Sequence, residues 1–518
     1  MAAVARLWPD LSSDPAQLTL AIIVAATGLR LVLAVITGLG NDESYSVANA
    51  RDLGLSYLDH PPLHLWLAHF FDLEHSSLVR LPFVLIFAGT SWLLYRLTER
   101  LFDARSGLWA VIALSLSPFF TVEAGSWVLP DGPLIFCVLA GLLCLLPVLI
   151  DDESREGSVW LSWLGGGVWL GLASLSKYHA VFFAAGIFAF LLLTPGKRQR
   201  LRHPAPYAGL AVALLIFAPV LVWNAGHAWA SFAFQGERAV PSYGFAPLRA
   251  ISNALLELLY LGPWIALPAY SVLRSFGSSA RERLCYWLGL PQIVFFTLIP
   301  LFGTNTMPHW AMPGWLMLFP LIGATLAREG EVRAGRWAKI SGAVFGVLLL
   351  VLATDARTGW TTQVIPGGYA RGGDPTLVVF NWNQLADALA QRGLLKNRDR
   401  FIATFRWDVA GKIDYALEGR LPVLVLSPNP HSYARHYEVR HNPQDFVGRD
   451  GLIMAPTYLV ARCAAFLKTR FSSIAYLAPV YLGRGRNREI ELQILYGRGL
   501  RNDDPAHPIV DAAHHPCR

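Results

Sequence analysis

Eleven apolar segments of membrane-spanning length fill the first 353 residues, at 18–39, 78–98, 106–125, 129–150, 159–176, 178–194, 205–224, 250–273, 284–303, 309–327 and 337–353. A bilayer core about 30 Å thick needs about 20 helical residues per crossing. It offers no water to open backbone groups, so each crossing is expected to be a helix. With 54% hydrophobic and 15% charged residues and a mean hydropathy of +0.40, the chain falls outside the soluble class. The polar start (Asp10, Ser12, Ser13, Asp14) does not read as a cleavable signal, so the first span is expected to remain as an anchor.

The loops sort by charge. One set carries fifteen basic residues, among them Arg96, Arg100, Arg105, Arg155, Lys197, Arg198, Arg200 and Arg202, against five (Arg51, Arg80, Lys177, Arg238, Arg249) in the other. The positive-inside rule makes the richer set cytoplasmic. The amino terminus is then inside, and the odd number of spans puts residues 354–518 outside. The net charge of +7 follows from this topology, and no nucleic-acid patch is evident. Five cysteines are too few for a disulfide scaffold, although Cys463 and Cys517 can pair in an oxidising compartment.

Three domains are expected: a membrane domain over 1–353, a linker over 354–375 (Gly367, Gly368, Gly372, Gly373, Pro375) and an outer α/β domain over 376–518. In the last, a β-rich run at 377–380 precedes alternating helical and strand patterns. Helices are read at 384–392, 409–417 and 457–469, and strands at 401–404, 423–426, 452–455, 474–482 and 489–496. The first outer loop, 40–77, carries two amphipathic runs joined by the stiff Asp59-His60-Pro61-Pro62 turn, read as interfacial helices. A second outer loop, 225–249, is rich in aromatic and polar groups such as Phe234, Gln235, Arg238 and Tyr243.

Once the spans are threaded, the residues able to do chemistry gather on the outer side. Asp42 and Glu43 follow the first span, with Tyr45 just beyond. Asp131 is either a helix N-cap or a functional carboxylate. Lys177 stands between two apolar runs on the side that disfavours positive charge, a placement that calls for an anionic partner or ligand. Carboxylates (Asp42, Glu43, Asp59, Asp131) thus lie beside cations and imidazoles (Lys177, Arg51, Arg238, His60, His309). Such a set suits transfer of a group from a phosphate leaving group. A carboxylate takes the proton of the attacking hydroxyl, and cations hold the charge growing on the phosphate. No nucleotide motif is present, so the activated donor is expected on a lipid.

Asp42-Glu43-Ser44-Tyr45, Asp59-His60-Pro61-Pro62-Leu63, Ser176-Lys177-Tyr178 and Pro308-His309-Trp310-Ala311-Met312-Pro313-Gly314 resemble the membrane glycosyltransferases of the GT-C class. The branch is that of the protein O-mannosyltransferases and the lipid A aminoarabinose transferases, families 39 and 83. The resemblance implies a GT-C fold and inverting transfer of a sugar from a polyprenyl-phosphate donor, with Asp42 as base assisted by Glu43. It also implies donor-phosphate contacts from Lys177, helped by Arg51, Arg238 and His60. Tyr45 and Asp131 are expected to contact the acceptor or serve structure. Asp59 and His309 are expected as ligands if a divalent metal takes part, and no nucleotide is expected. Aminoarabinose transferases have Glu-Lys where this chain has Asp59-His60, which weakens both the metal and that sugar specificity.

The implied acceptor is an envelope glycan, lipid A, another lipid or a protein hydroxyl, with membrane lipids as surroundings. The implied location is the outer face of a bacterial inner (plasma) membrane. The alternative is a transporter or flippase of lipid-linked sugar. It is disfavoured because no internal repeat is found and the polar groups gather at one membrane edge.

Overall fold

The computed structural model describes residues 14–239, 244–274, 277, 279–304, 306–365, 374–426, 433–484 and 490–502. Asp10, Ser12, Ser13, Tyr243, the linker glycines 367, 368, 372 and 373, Glu489 and Cys517 lie outside these residues. The chain forms two compact units. The first comprises Met1–Val32, Gly54–Leu67 and Arg80–Leu349, and the second Leu33–Leu53, Ala68–Val79 and Leu350–Arg518.

Among the described residues, seven helices are long and apolar enough to cross a membrane: Pro15–Ile36, Ser76–Leu101, Asp131–Leu149, Glu156–Ser176, Ala205–Gly226, Ala280–Phe302 and Glu331–Thr358. The span expected at 178–194 is the shorter helix Ala180–Leu193. The other three expected spans are bent pairs, which brings the number to ten if each pair crosses once. Ala104–Ser115 with Pro118–Ser126 turns by 85°, Pro247–Leu261 with Pro263–Arg274 by 92°, and Pro308–Leu316 with Phe319–Glu329 by 62°.

Proline explains each break: Pro118, Pro263 and Pro320 stand at the first or second position of the helix that follows. Between the halves of the second pair, Gly262 has φ +106°. A bend inside a bilayer frees carbonyls that must find donors. In the first pair, Trp264 Nε1 donates to Leu116 O (2.9 Å) and Arg30 Nε to Thr121 O (3.2 Å). Arg30 lies inside the helix Pro15–Ile36 and is buried. Its guanidinium caps a bend and lies over the Phe87 ring at 4.4 Å.

Close helix packing rests on glycine. A Cβ on Gly167 would stand 2.1 Å from Gly209 O, and one on Gly209 would stand 2.4 Å from Trp163 O. Only bare backbone permits the helices Glu156–Ser176 and Ala205–Gly226 to come this near.

In the second unit, five strands form one sheet: β1 (Phe401–Thr404), β2 (Val423–Val425), β3 (Gly451–Pro456), β4 (Phe471–Leu482) and β5 (Ile490–Leu500). Their order is β2-β1-β3-β5-β4. β1 is parallel to β2 and β3, and β5 is antiparallel to both β3 and β4. The helices Gln384–Gln391, Trp407–Ala416 and Thr457–Arg470 fall where the pattern placed them.

The β-rich run at 377–380 is not a strand. Residues Pro375–Val379 form a 3-10 turn, because Asp374 accepts the Thr376 N–H (2.8 Å) and Pro375 contributes no N–H of its own. This turn chemistry overrides β propensity. The second unit also takes in the two short loop helices' flanks: Asn41–Ala50 lies wholly within it, whereas Leu63–His69 straddles the division.

Candidate functional site

In the first unit, the helix Glu156–Ser176 ends at Lys177, whose backbone is extended (φ −153°, ψ 139°). Ser176 Oγ donates to Pro130 O, 2.6 Å away, which fixes this end against the start of the helix Asp131–Leu149. The Lys177 Nζ then donates to both Asp131 oxygens, at 2.8 and 2.9 Å, with both side chains nearly sealed from solvent (5% and 4% exposed). The partner that a cation at this edge requires is therefore Asp131. Asp131 is the first helical residue and does not act as the N-cap, a place held by Pro130.

Beside Lys177 opens a cavity of ≈ 250 Å³. Lys177, Tyr178, His179, His60, Gln235 and Arg238 supply its polar wall, and Phe182, Phe295, Phe296 and Trp310 its apolar one. The helix Ala230–Ala239 carries Gln235 and Arg238 there. Gln235 Nε2 donates to Asp59 O (2.7 Å), and Ser231 N–H donates to Asn224 Oδ1 (3.1 Å). Arg238 lies over Trp310 at 4.5 Å, and His179 stacks on Phe296 at 4.9 Å. His179 is half-buried, and its Nε2, itself sealed from solvent, has no hydrogen-bond partner among the described residues.

Asp59 is buried, with His60 Nε2 4.0 Å from its Oδ2. His64 stands edge-on to His60 at 5.6 Å. Burial chiefly, and then the charge of His60, push the His64 imidazole down to about 3, against the opposing pull of Asp59 and Asp131. His309 stacks on Phe119 (6.3 Å, 4°) and is not on the cavity wall.

The metal pair expected at Asp59 and His309 gains no third ligand. Among the described residues no group of three His, Cys, Asp or Glu side chains is placed to hold an ion.

The remaining expected residues belong to the second unit. Glu43 is fully buried and accepts the Gly40 N–H (2.8 Å), closing the first turn of the helix Asn41–Ala50. Asp42, one position before it, stays open: its side chain is 53% exposed, and Arg435 Nη1 stands 3.5 Å away. Arg435 lies flat over Trp407 at 3.5 Å.

Tyr45 is part of the unit's core. It is edge-on to Trp407 and Tyr437, and its hydroxyl accepts the His436 N–H (3.0 Å). Of its two expected roles, structure is the one its surroundings fill. Arg51 caps the same helix, with Nε and Nη2 buried and no hydrogen-bond partner for either among the described residues. Close by, Arg440 joins Asp52 and Asp414, and Tyr437 donates to Asp414 (3.0 Å).

The sequence reading missed His64, His179 as a wall residue, and the Asp42–Arg435 pair. The first had a signal in its i, i+4 spacing from His60. The last had none, because 393 positions separate its members.

Residues 59–223 match the family of dolichyl-phosphate-mannose-protein mannosyltransferases. The chain is 26% identical over 266 residues to a lipid A galacturonosyltransferase, RgtD, of Rhizobium johnstonii, a match covering 48% of this chain and 52% of the relative. It thus spans about half the length of that curated relative. Among solved structures it is similar to ArnT from Cupriavidus metallidurans bound to undecaprenyl phosphate, with a TM-score of 0.62 at 14% identity, covering 92% of this chain and 97% of ArnT. The apo state of the same protein gives 0.58 over the same shares. The fold is that of the GT-C class, and the resemblance read from the motifs is supported by sequence and structure alike.

Proposed function

We propose that this GT-C chain is an inverting glycosyltransferase that takes a sugar from a polyprenyl-phosphate donor and passes it to an envelope acceptor. The observation that carries the reading is the cavity beside the buried Lys177–Asp131 pair. One wall offers an ammonium, a guanidinium and two imidazoles, and the other offers phenyl and indole rings. A phosphate joined to an isoprenoid chain has both characters. Two of the similar proteins support this choice: one carries undecaprenyl phosphate, and the other is named for transfer to lipid A.

In the reaction, an acceptor oxygen attacks the anomeric carbon from the face opposite the phosphate. The C–O bond to phosphate breaks, and its electron pair leaves with the polyprenyl phosphate. Lys177 and Arg238 stabilise that charge, with His60 as a further donor. Asp131 holds the Lys177 ammonium where the charge develops. Asp42 is the proposed base, on the motif resemblance and on its own setting as a solvent-exposed carboxylate 3.5 Å from Arg435. Glu43, engaged with the Gly40 N–H, keeps the helix start that carries Asp42.

The reading places the reaction on the outer face of a bacterial inner membrane, with the amino terminus inside. Lipid A, another envelope glycan or lipid, and a protein hydroxyl are the acceptors in question. The test is transfer from a synthetic polyprenyl-phosphate sugar by the purified protein in nanodiscs, offered each acceptor class. Appearance of free polyprenyl phosphate and a glycosylated acceptor supports the reading, and donor that stays intact with every acceptor opposes it.

A further inference from the structure

The helix that ends at Lys177 begins at Glu156, and its first turns border a second site. Trp163 lies fourteen residues before Lys177, about 20 Å away along the helix axis. On one side of Trp163 runs an apolar slot of ≈ 150 Å³ between four helices, lined by side chains such as Leu142, Leu145, Phe183, Ile187 and Leu210. On the other side lies a polar cavity of ≈ 690 Å³ with Lys197, Gln199, Arg200, His203 and Asp152 on its wall. Trp163 lines both. Leu201 faces the slot from between Arg200 and the exposed Arg202.

The cations here already have protein partners, although an ammonium carries three donors and a guanidinium five. Lys197 Nζ donates to Asp152 (2.7 Å), and Arg200 donates to Glu153 O (2.7 Å) and lies 3.6 Å from Asp152. His203 stands 3.3 Å from Glu156. The Asp152 side chain is 69% exposed, and its backbone is left-handed (φ +54°), so the acid meets Lys197 from the solvent side. Arg198 and Arg202 are exposed at the rim. At the junction of slot and cavity the Trp163 ring is 7% exposed, yet its Nε1–H has no acceptor among the described residues. A buried indole N–H ordinarily has one.

We propose that this end of the bundle binds one anionic glycerophospholipid. An acyl chain fills the slot, an ester carbonyl accepts the Trp163 Nε1–H, and the headgroup phosphate lies against Lys197 and Arg200. The order of chemistry along the site, apolar, then a single donor, then cationic, is that of such a lipid from tail to headgroup. The rim arginines disfavour a headgroup bearing its own cation, so phosphatidylglycerol should be held over phosphatidylcholine.

The test is native mass spectrometry of the full chain, delipidated in detergent and offered equal amounts of the two lipids. Wild type is expected to retain one phosphatidylglycerol about tenfold more than phosphatidylcholine. Lys197→Ala with Arg200→Ala should bring the two to parity. Trp163→Phe, which keeps a smaller aromatic ring and removes the N–H, should lower phosphatidylglycerol retention about fivefold. If the double variant does not fold, Trp163→Phe decides alone. Equal retention of both lipids by wild type overturns the proposal. So does unchanged retention in Trp163→Phe, or displacement of the lipid by inorganic phosphate.

Discussion

At Lys177 the folded chain and the proposed chemistry make the same demand. A buried ammonium needs an anion, Asp131 supplies one, and the phosphate of a donor would share it. Lys177→Ala leaves Asp131 buried without its cation, so it should cost about 3–5 kcal/mol of stability and abolish transfer. Adding Asp131→Ala should restore most of the thermal midpoint while transfer stays absent. If transfer returns with stability, the pair serves structure alone.

His64 gives a pH-dependent prediction. Burial holds its folded value near 3, while the unfolded chain titrates near the ordinary 6.5. Below pH 6.5 the unfolded state therefore binds a proton that the folded state refuses. The stability this neutral imidazole supports is complete above 6.5 and is lost as pH falls toward 3. The thermal midpoint should drop between pH 7 and 5, and less steeply in His64→Phe; parallel profiles would contradict this. Lys177 was legible in the sequence because a lone charge between two apolar runs stands out. Its partner was not, because 46 residues separate the two and Asp131 also fits a helix start.

Among the elements, the helices were legible and their bends were not. Apolar run length marks a crossing, whereas Pro118, Pro263 and Pro320 have their effect only where neighbouring side chains can receive the freed carbonyls. Trp264→Phe removes the donor to Leu116 O and should cost about 1–3 kcal/mol, read as a lower unfolding midpoint. The glycine contacts yield a paired test. Gly167→Ala drives a methyl into the Gly209 backbone and should destabilise the bundle by about 1–3 kcal/mol. Gly157→Ala, with nothing within 4 Å, should be neutral or slightly stabilising. Equal effects would contradict the close approach. The strands of the second unit were readable from apolar runs bounded by turns, but the segment at 377–380 was not, since one Asx turn decided its conformation.

At the scale of the whole molecule, hydropathy was enough to read the class. The make-up of the second unit was hidden, because it joins Leu33–Leu53 to residues more than 300 positions later. Lys412 shows how. Its buried Nζ donates to Leu39 O, to Val378 O (2.8 Å) and to Phe380 O (3.0 Å). Lys412→Met leaves these carbonyls without that donor and should cost at least about 3 kcal/mol, exposing residues 37–40 to limited proteolysis. The carboxylate proposed as base, Asp42, lies two residues after that segment. The direct test compares envelope lipids and glycans by mass spectrometry in cells with the wild-type protein, cells without it, and cells carrying Asp42→Asn. The account predicts that both defective strains lack the same sugar-sized mass on one acceptor and accumulate polyprenyl-phosphate sugar. An Asp42→Asn strain with a normally glycosylated acceptor would contradict it.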